Sequence, residues 1–206
     1  MSGFVERFFH LKSAGFDLER ALDIGAYRGD FTNILKSVWP SCTVQQFEAD
    51  KRNTLYLQSD TVIGVLGDQE RVVELYTIED TGWGTTTGTS VFKEVTEFYN
   101  NSNVELHNMK TLDSVVDMAG DWSKGLVKID TQGSELLILK GAKEFLKSKP
   151  AYILLECSYV EYNQKAPLVS EVFAYMNKIG YAPVDILDNN YINGQLIQSD
   201  WLFKIL

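Results

Sequence analysis

The chain predicts an α/β fold built on a mostly parallel sheet, and three stretches carry that expectation. The first, Ala21-Leu22-Asp23-Ile24-Gly25-Ala26-Tyr27-Arg28-Gly29-Asp30, reads as a short buried strand, a glycine-bounded turn and a helix start. Phe31, Ile34, Leu35 and Val38 then recur at helical spacing. The second is Gly125 to Asp130 followed by Thr131-Gln132-Gly133-Ser134-Glu135, again strand, turn and helix. The third, Ala151 to Glu156, is an apolar strand that ends in a carboxylate. Strands that alternate with helices are the pattern of parallel βα units.

The remaining elements follow in order. Phe4, Val5, Phe8 and Phe9 sit at helical spacing, which predicts a short amphipathic helix packed on the sheet ahead of the first strand. Asp30 stands where a carboxylate caps a helix, and Pro40 closes that segment. Val44 to Glu48 reads as a second strand, Asp50 to Ser59 as a polar helix, and Thr61 to Leu66 as a third strand ended by Gly67-Asp68. Alternation over Arg71 to Ile78 predicts an antiparallel strand beyond the core sheet. Thr81 to Ser90 holds three glycines and five threonines, which cannot pack a core; a loop of this kind reads as a lid or a disordered tip, with Trp83 either a contact or a residue folded back on the body. Val104 to Leu106 is a short strand, and Thr111 to Val116 a helix start with Asp113 in its first turn. A helix is expected over Ser134 to Ser148, with Gly141 allowing close packing, and another from Pro167 to Gly180. Tyr181 to Leu187, a turn over Asp188 to Gly194, and Gln195 to Ile205 form a C-terminal β-hairpin.

A length of 206 residues suits one domain, and 45% hydrophobic with 23% charged residues predicts a soluble globular protein. The net charge of −9, with scattered Lys and Arg, argues against a nucleic-acid partner. No apolar run is long enough to span a bilayer, so no membrane partner is expected. Met1 to Phe9 lacks a signal-peptide core. Cys42 and Cys157 have no Cys or His neighbour, which predicts buried thiols in a reducing, cytoplasmic compartment and no metal site.

The first loop also predicts a ligand. Its G-x-x-x-G spacing is not the G-x-G-x-x-G that makes room for a pyrophosphate. Asp23 adds negative charge where a diphosphate would be repelled. A phosphate-free ligand with a cationic end fits better, and S-adenosylmethionine, with its sulfonium and ammonium groups, is such a ligand. Gly25, Ala26, Tyr27 and Gly29 are the expected loop contacts. Glu48, with Ala49 beside it, lies about twenty residues beyond the first glycine, the usual distance to a carboxylate that accepts from ribose hydroxyls. Gly67 and Asp68 are expected at the adenine edge, Ser90 near the cofactor, and Asp130 near the sulfonium. Each has a plainer reading: a strand-to-helix turn, a solvated glutamate, a simple turn, and a helix cap at Asp130.

Taken together, these runs resemble the FkbM-type methyltransferase family. The matching segments are Leu22-Asp23-Ile24-Gly25-Ala26-x-x-Gly29-Asp30, Phe47-Glu48-Ala49-Asp50, Thr89-Ser90, Thr111-Leu112-Asp113, Val127-Lys128-Ile129-Asp130-x-x-Gly133-x-Glu135 with Leu139-Lys140-Gly141-Ala142, and Leu155-Glu156. The resemblance implies a Rossmann-like seven-stranded sheet, parallel except for one strand near the C-terminal edge, with helices on both faces. It also implies S-adenosylmethionine as cofactor and O-methylation of a hydroxyl on a sugar or another small-molecule or polysaccharide acceptor. A hydroxyl acceptor must lose its proton, and Asp130 and Glu156 are the candidate catalytic carboxylates, with His107 a remoter one. Two other functions share these features. One is a cofactor-binding paralogue that transfers nothing. The other is a nicotinamide-dependent oxidoreductase, which Glu48 would serve but the absent G-x-G-x-x-G disfavours.

Overall fold

The computed structural model describes residues 2–78, 87–117 and 120–206. Along the chain run α1 (Ser2–Ser13), β1 (Arg20–Ile24), α2 (Asp30–Val38), β2 (Thr43–Glu48), β3 (Val62–Ile63), β4 (Val65–Gly67) and β5 (Arg71–Thr77). After these come β6 (Asn103–Thr111), α3 (Leu112–Val115), β7 (Gly125–Ile129), α4 (Glu135–Lys140), β8 (Tyr152–Ser158), α5 (Val169–Lys178), β9 (Tyr181–Ile192) and β10 (Gln195–Ile205). Thr81 to Thr86, including Trp83, lie outside the described residues, and the expected lid falls mostly on them.

Seven strands form one sheet in the order β3-β2-β1-β7-β8-β10-β9. β2, β1, β7 and β8 pair in parallel, β3 pairs in parallel with β2, and β10 runs antiparallel to both of its neighbours. The strand order reverses between β1 and β7, so their carboxyl ends adjoin at a topological switch point, where such sheets hold their ligands.

The central strands are covered on both faces, which is why every residue of β7 is buried, Lys128 included. One layer gathers Leu22, Ile24, Ile129, Leu136, Ile153 and Met176; the other gathers Phe8, Phe31, Leu35, Trp39, Leu126 and Leu154. The alternation of Leu126 with Val127, and of Ile153 with Leu154, between these layers follows from the two-residue period of a strand. α1 rests on α2 and β9, its Phe8 ring set against Phe31 at 5.9 Å and Trp39 at 5.7 Å, whereas Phe9 faces solvent at 47% exposure.

Several boundaries differ from expectation for local reasons. Thr61 to Leu66 is not one strand: it divides at Gly64 into the edge strand β3 and β4, and β4 belongs to a second sheet of order β4-β6-β5. The alternating strand β5 joins that sheet, antiparallel to a β6 three times as long as Val104 to Leu106. The polar helix is a 3-10 turn, Lys51–Tyr56, capped by the Asp50 side chain accepting from Arg52 N. The helix expected over Ser134 to Ser148 breaks after α4. Gly141 ends it by closing on Gly67, whose carbonyl oxygen would lie 2.0 Å from a Cβ at that position. A 3-10 turn, Phe145–Ser148, follows, and Asp113 accepts from Glu144 N and Phe145 N at 2.9 Å.

Asp30 is not a cap. It is the first residue of α2, and the capping position is Gly29 in the left-handed conformation at φ 80°. The hairpin turn is tighter than expected. Asp188 to Ile192 extend β9 along β10, with a register shift between Leu196 and Gln198, which leaves Asn193 (φ 50°) and Gly194 (φ 78°) to turn the chain.

Candidate active site

The glycine loop is shaped by what lies under it. Gly25 has φ +78°, and a Cβ there would sit 1.8 Å from the carbonyl oxygen of Asp130. The carboxyl ends of β1 and β7 therefore meet only because position 25 is glycine. Gly25 N and Ala26 N both donate to Phe47 O at 3.0 Å, which ties the loop to β2. Tyr27 N donates to Glu48 Oε2 at 2.6 Å with Tyr27 held at φ 52°, and Asp50 N donates to Glu48 Oε1 at 2.7 Å. Glu48 thus braces two turns while each of its oxygens keeps a lone pair free. Burial raises its pKa, opposed by the N–H groups of Asp50 and Tyr27.

A cavity of about 320 Å³ opens above these strand ends. Of the residues singled out from sequence, Gly25, Ala26, Tyr27, Glu48, Ala49, Ser90, Asp130 and Glu156 line it. Asp23 lies fully buried behind the wall, where its Oδ2 accepts from Thr32 Oγ1 at 2.7 Å. Gly29 sits back from the wall as the helix cap.

Gly67 and Asp68 are not brought to the cavity. Gly67 is packed between Met109 and Gly141, and Asp68 pairs with Arg71 at 2.7 Å. Leu66, one residue earlier, is the member of that turn that reaches the wall. His107 lies on β6 beside Glu105, away from the cavity, and His10 is exposed on α1.

Lys128, Gln132, Asp200, Thr87 and Thr89 also line the cavity, and none was singled out as a site residue from sequence. Lys128 stands out in hindsight as a lysine inside an otherwise apolar strand. Its Nζ donates to Gly25 O at 2.7 Å and lies 3.3 Å from Asp23 Oδ1 and 3.5 Å from Asp130 Oδ2. Burial alone would lower its pKa, but Asp130 and Asp23 outweigh burial, so the ammonium stays charged.

Gln132, in the left-handed region at φ 56°, donates from Nε2 to Asp130 Oδ1 at 3.2 Å and to Glu156 Oε2 at 3.0 Å. It joins the two carboxylates expected to be catalytic. Its carbonyl accepts from Ser90 Oγ at 2.8 Å, which holds the end of the Gly/Thr-rich loop against the site. Glu135 accepts from Thr131 N at 2.8 Å and Gly133 N at 3.2 Å; burial nevertheless pushes its pKa up to about 7. Burial, with Asp130, Glu135 and Asp200 adding to it, raises Glu156 well above the usual range.

The description of a methyltransferase FkbM domain matches residues 23–183, which spans both loops and the carboxylates Glu48, Asp130 and Glu156. The chain belongs to this methyltransferase family. An FkbM methyltransferase from Methylobacillus flagellatus KT shares the fold at a TM-score of 0.57 and 18% identity, over 90% of this chain and 44% of that one. The chain thus spans less than half the length of that relative. An S-adenosylmethionine-dependent methyltransferase from Clostridium acetobutylicum ATCC 824 gives a TM-score of 0.51 at 7% identity, over 99% of this chain and 91% of that one. The magnesium protoporphyrin IX methyltransferase of Synechocystis PCC 6803, solved with S-adenosylmethionine bound, gives 0.50 at 7% identity, covering 100% and 81%. No match is found among curated proteins.

The cofactor of this FkbM chain is S-adenosylmethionine, and the cavity residues fit it. Glu48 keeps acceptor capacity for ribose hydroxyls, and Gly25, Ala26 and Tyr27 line the same cavity. Around the one lysine stand Asp23, Asp130, Glu156 and Asp200, so a ligand with cationic groups meets a surplus of carboxylates. Among the described residues no helix is long and apolar enough to cross a membrane.

Proposed function

We propose that this FkbM chain transfers a methyl group to a hydroxyl oxygen of a small polar acceptor, a sugar or another small molecule or glycan. The observation that carries this reading is the joined pair Asp130–Gln132–Glu156 on the cavity wall. When bound, S-adenosylmethionine supplies a methyl group activated by its sulfonium. The chain's own residues then have two tasks: to align an acceptor oxygen with that methyl, and to receive the proton the oxygen loses. Asp130, at the end of β7 beside the switch point, offers a carboxylate turned to the cavity and oriented by Lys128 and Gln132. Membership of a methyltransferase family sets aside the nicotinamide reading.

The test supplies ¹³C-methyl-labelled cofactor to mixed hydroxylated and amino acceptors and locates the label by its carbon shift. Label on oxygen, with Asp130→Asn slower by roughly 10²-fold, is expected for a carboxylate that orients the acceptor oxygen. Label on nitrogen, or no transfer while cofactor binds, contradicts the reading; the second result would identify a binding paralogue.

A further inference from the structure

A second hollow, of about 270 Å³, opens beside the first, between the ends of β8, β10 and β9. Glu156, Asp188, Asn190, Gln198, Ser199 and Asp200 line it with Asn189, and no lysine, arginine or aromatic side chain does so among the described residues. Glu156 and Asp200 are the two residues that line both spaces. The register explains their meeting. Asp200 on β10 stands opposite Glu156 on β8 and Asp188 on β9, and Gln198 stands opposite Asn190. Cross-strand partners share a face, so these five side chains turn the same way. The pairing of β9 with β10 shifts between Asp200 and Trp201, an irregularity of the kind that re-aims a side chain.

The amides of this face are already ordered. Asn190 Nδ2 donates to Gln198 Oε1 at 3.2 Å, and Gln198 Nε2 donates to Glu156 Oε2 at 2.9 Å. That oxygen of Glu156 therefore takes two amide donors, from Gln198 and Gln132. The Asp200 side chain, by contrast, makes no hydrogen bond or ion pair among the described residues, although it is half-buried.

We propose that this hollow is the acceptor subsite, that it receives an uncharged polyhydroxylated ring such as a sugar residue, and that Asp200 accepts the proton of the methylated hydroxyl. The proposal rests on the O-methylation reading above and adds to it where the acceptor binds, its charge and the group that takes its proton.

Location follows from the shared rim: an acceptor seated in the hollow would present its oxygen to the donor cavity beside Glu156 and Asp200. Charge follows from the lining. A phosphate or carboxylate on the acceptor would face Glu156, Asp188 and Asp200 with no cation in the lining among the described residues. The lining offers both donors and acceptors, which suits hydroxyls, since each hydroxyl does both; an ammonium only donates.

The choice of Asp200 over Glu156 follows from bonding. Glu156 is braced by two amides, whereas both Asp200 oxygens are open. The charged groups acting on Asp200 are Asp130 and Lys128 from β7, Glu135 from α4 and Asp188 from β9, with Glu156 opposite on β8. Burial, then Asp130, push its pKa up to about 8 against the opposing Lys128, and a base near neutrality is well matched to proton transfer. In the step, the acceptor oxygen forms the C–O bond as its proton passes to the Asp200 carboxylate. The S–CH₃ bond breaks with its electron pair going to sulfur. The products are a methyl ether, S-adenosylhomocysteine and protonated Asp200.

The test uses the full chain saturated with S-adenosylhomocysteine, and compares wild type, Asp200→Asn and Asn190→Leu. Asn190 is exposed, so its replacement leaves the fold intact. Saturation-transfer NMR with methyl glycosides, a sugar phosphate and an aminosugar reads binding. Labelled S-adenosylmethionine then reads transfer to the glycosides between pH 6 and 9. Expected are neutral-glycoside binding to wild type and Asp200→Asn, about tenfold weaker binding to Asn190→Leu with unchanged S-adenosylhomocysteine affinity, and no preference for the phosphate. Asp200→Asn should lose roughly 10²–10⁴-fold in rate and the rise of rate with pH. The proposal is overturned if no glycoside binds, if the phosphate or aminosugar binds better, if Asn190→Leu binds as wild type, or if Asp200→Asn keeps the wild-type pH profile. Oxygen methylation that persists alongside any of those results refutes the subsite alone, whereas nitrogen methylation refutes the parent reading.

Discussion

Replacing Lys128 by methionine tests the electrostatic frame on which the cofactor loop sits. Lys128 is 8% exposed at its side chain, and Asp23 is fully buried against it. Methionine fills nearly the same volume, so the change removes charge and hydrogen bonding with little cavity. Asp23 would keep only the hydroxyl of Thr32, Gly25 O would lose its 2.7 Å donor, and Asp130 would lose its counter-ion. Breaking one side of a buried pair costs about 3–5 kcal/mol, because the remaining charge stays buried without compensation. Set against a typical total of roughly 5–15 kcal/mol, the variant should be close to unfolding. Urea melts of wild type, Lys128→Met, Asp23→Asn and the double variant measure this. The double variant should recover most of the loss, since it removes both charges together. A Lys128→Met loss below about 1 kcal/mol, or additive losses in the double variant, would refute the reasoning.

Two further outcomes follow from the same geometry. Gly25→Ala places a methyl 1.8 Å from Asp130 O and forces alanine into a left-handed backbone that costs roughly 1–2 kcal/mol by itself. It should abolish S-adenosylhomocysteine binding before it abolishes folding, and a variant with wild-type affinity and melting temperature would contradict the close approach of β1 and β7. Glu135 and Asp200 have pKa values raised by burial to about 7 and about 8, and Glu156 is raised as well. Acids that hold protons more tightly when folded contribute stability that is complete below about pH 4 and lost as pH rises through 7 to 8. The melting temperature of the cofactor-free protein should fall from pH 5 to pH 9 by at least about 3 °C, with a smaller fall in Asp200→Asn; a flat or rising curve would contradict the buried cluster.

The first loop was legible because its constraint is local. A strand, two glycines and a helical apolar stripe allow few other conformations, and Glu48 follows at the spacing a βαβ unit imposes. Asp130 was legible as the carboxylate that follows a buried strand; Glu156 was expected to end its strand, but β8 runs on to Ser158 through pairing with β10. What failed depended on contacts distant in sequence. Gly67 and Asp68 were expected at the site because Thr61 to Leu66 reads as one strand; the division at Gly64 routes β4 into the second sheet, under Gly141. That same contact breaks the helix that periodicity extends to Ser148. Asp200 is one aspartate in a hairpin until the register of β10 sets it opposite Glu156. Gln132 reads as a turn residue, and only its φ of 56° turns its amide between Asp130 and Glu156.

The central claim is that S-adenosylmethionine lies over the β1–β2–β7 ends with its ribose on Glu48, and calorimetric titration of S-adenosylhomocysteine into wild type and Glu48→Ala tests it most directly. Charge-assisted hydrogen bonds contribute about 1.5–3 kcal/mol, so the account predicts saturable one-to-one binding that the substitution weakens by about ten- to a hundredfold in a folded protein. No saturable binding by wild type, or equal affinity in the folded variant, would contradict it.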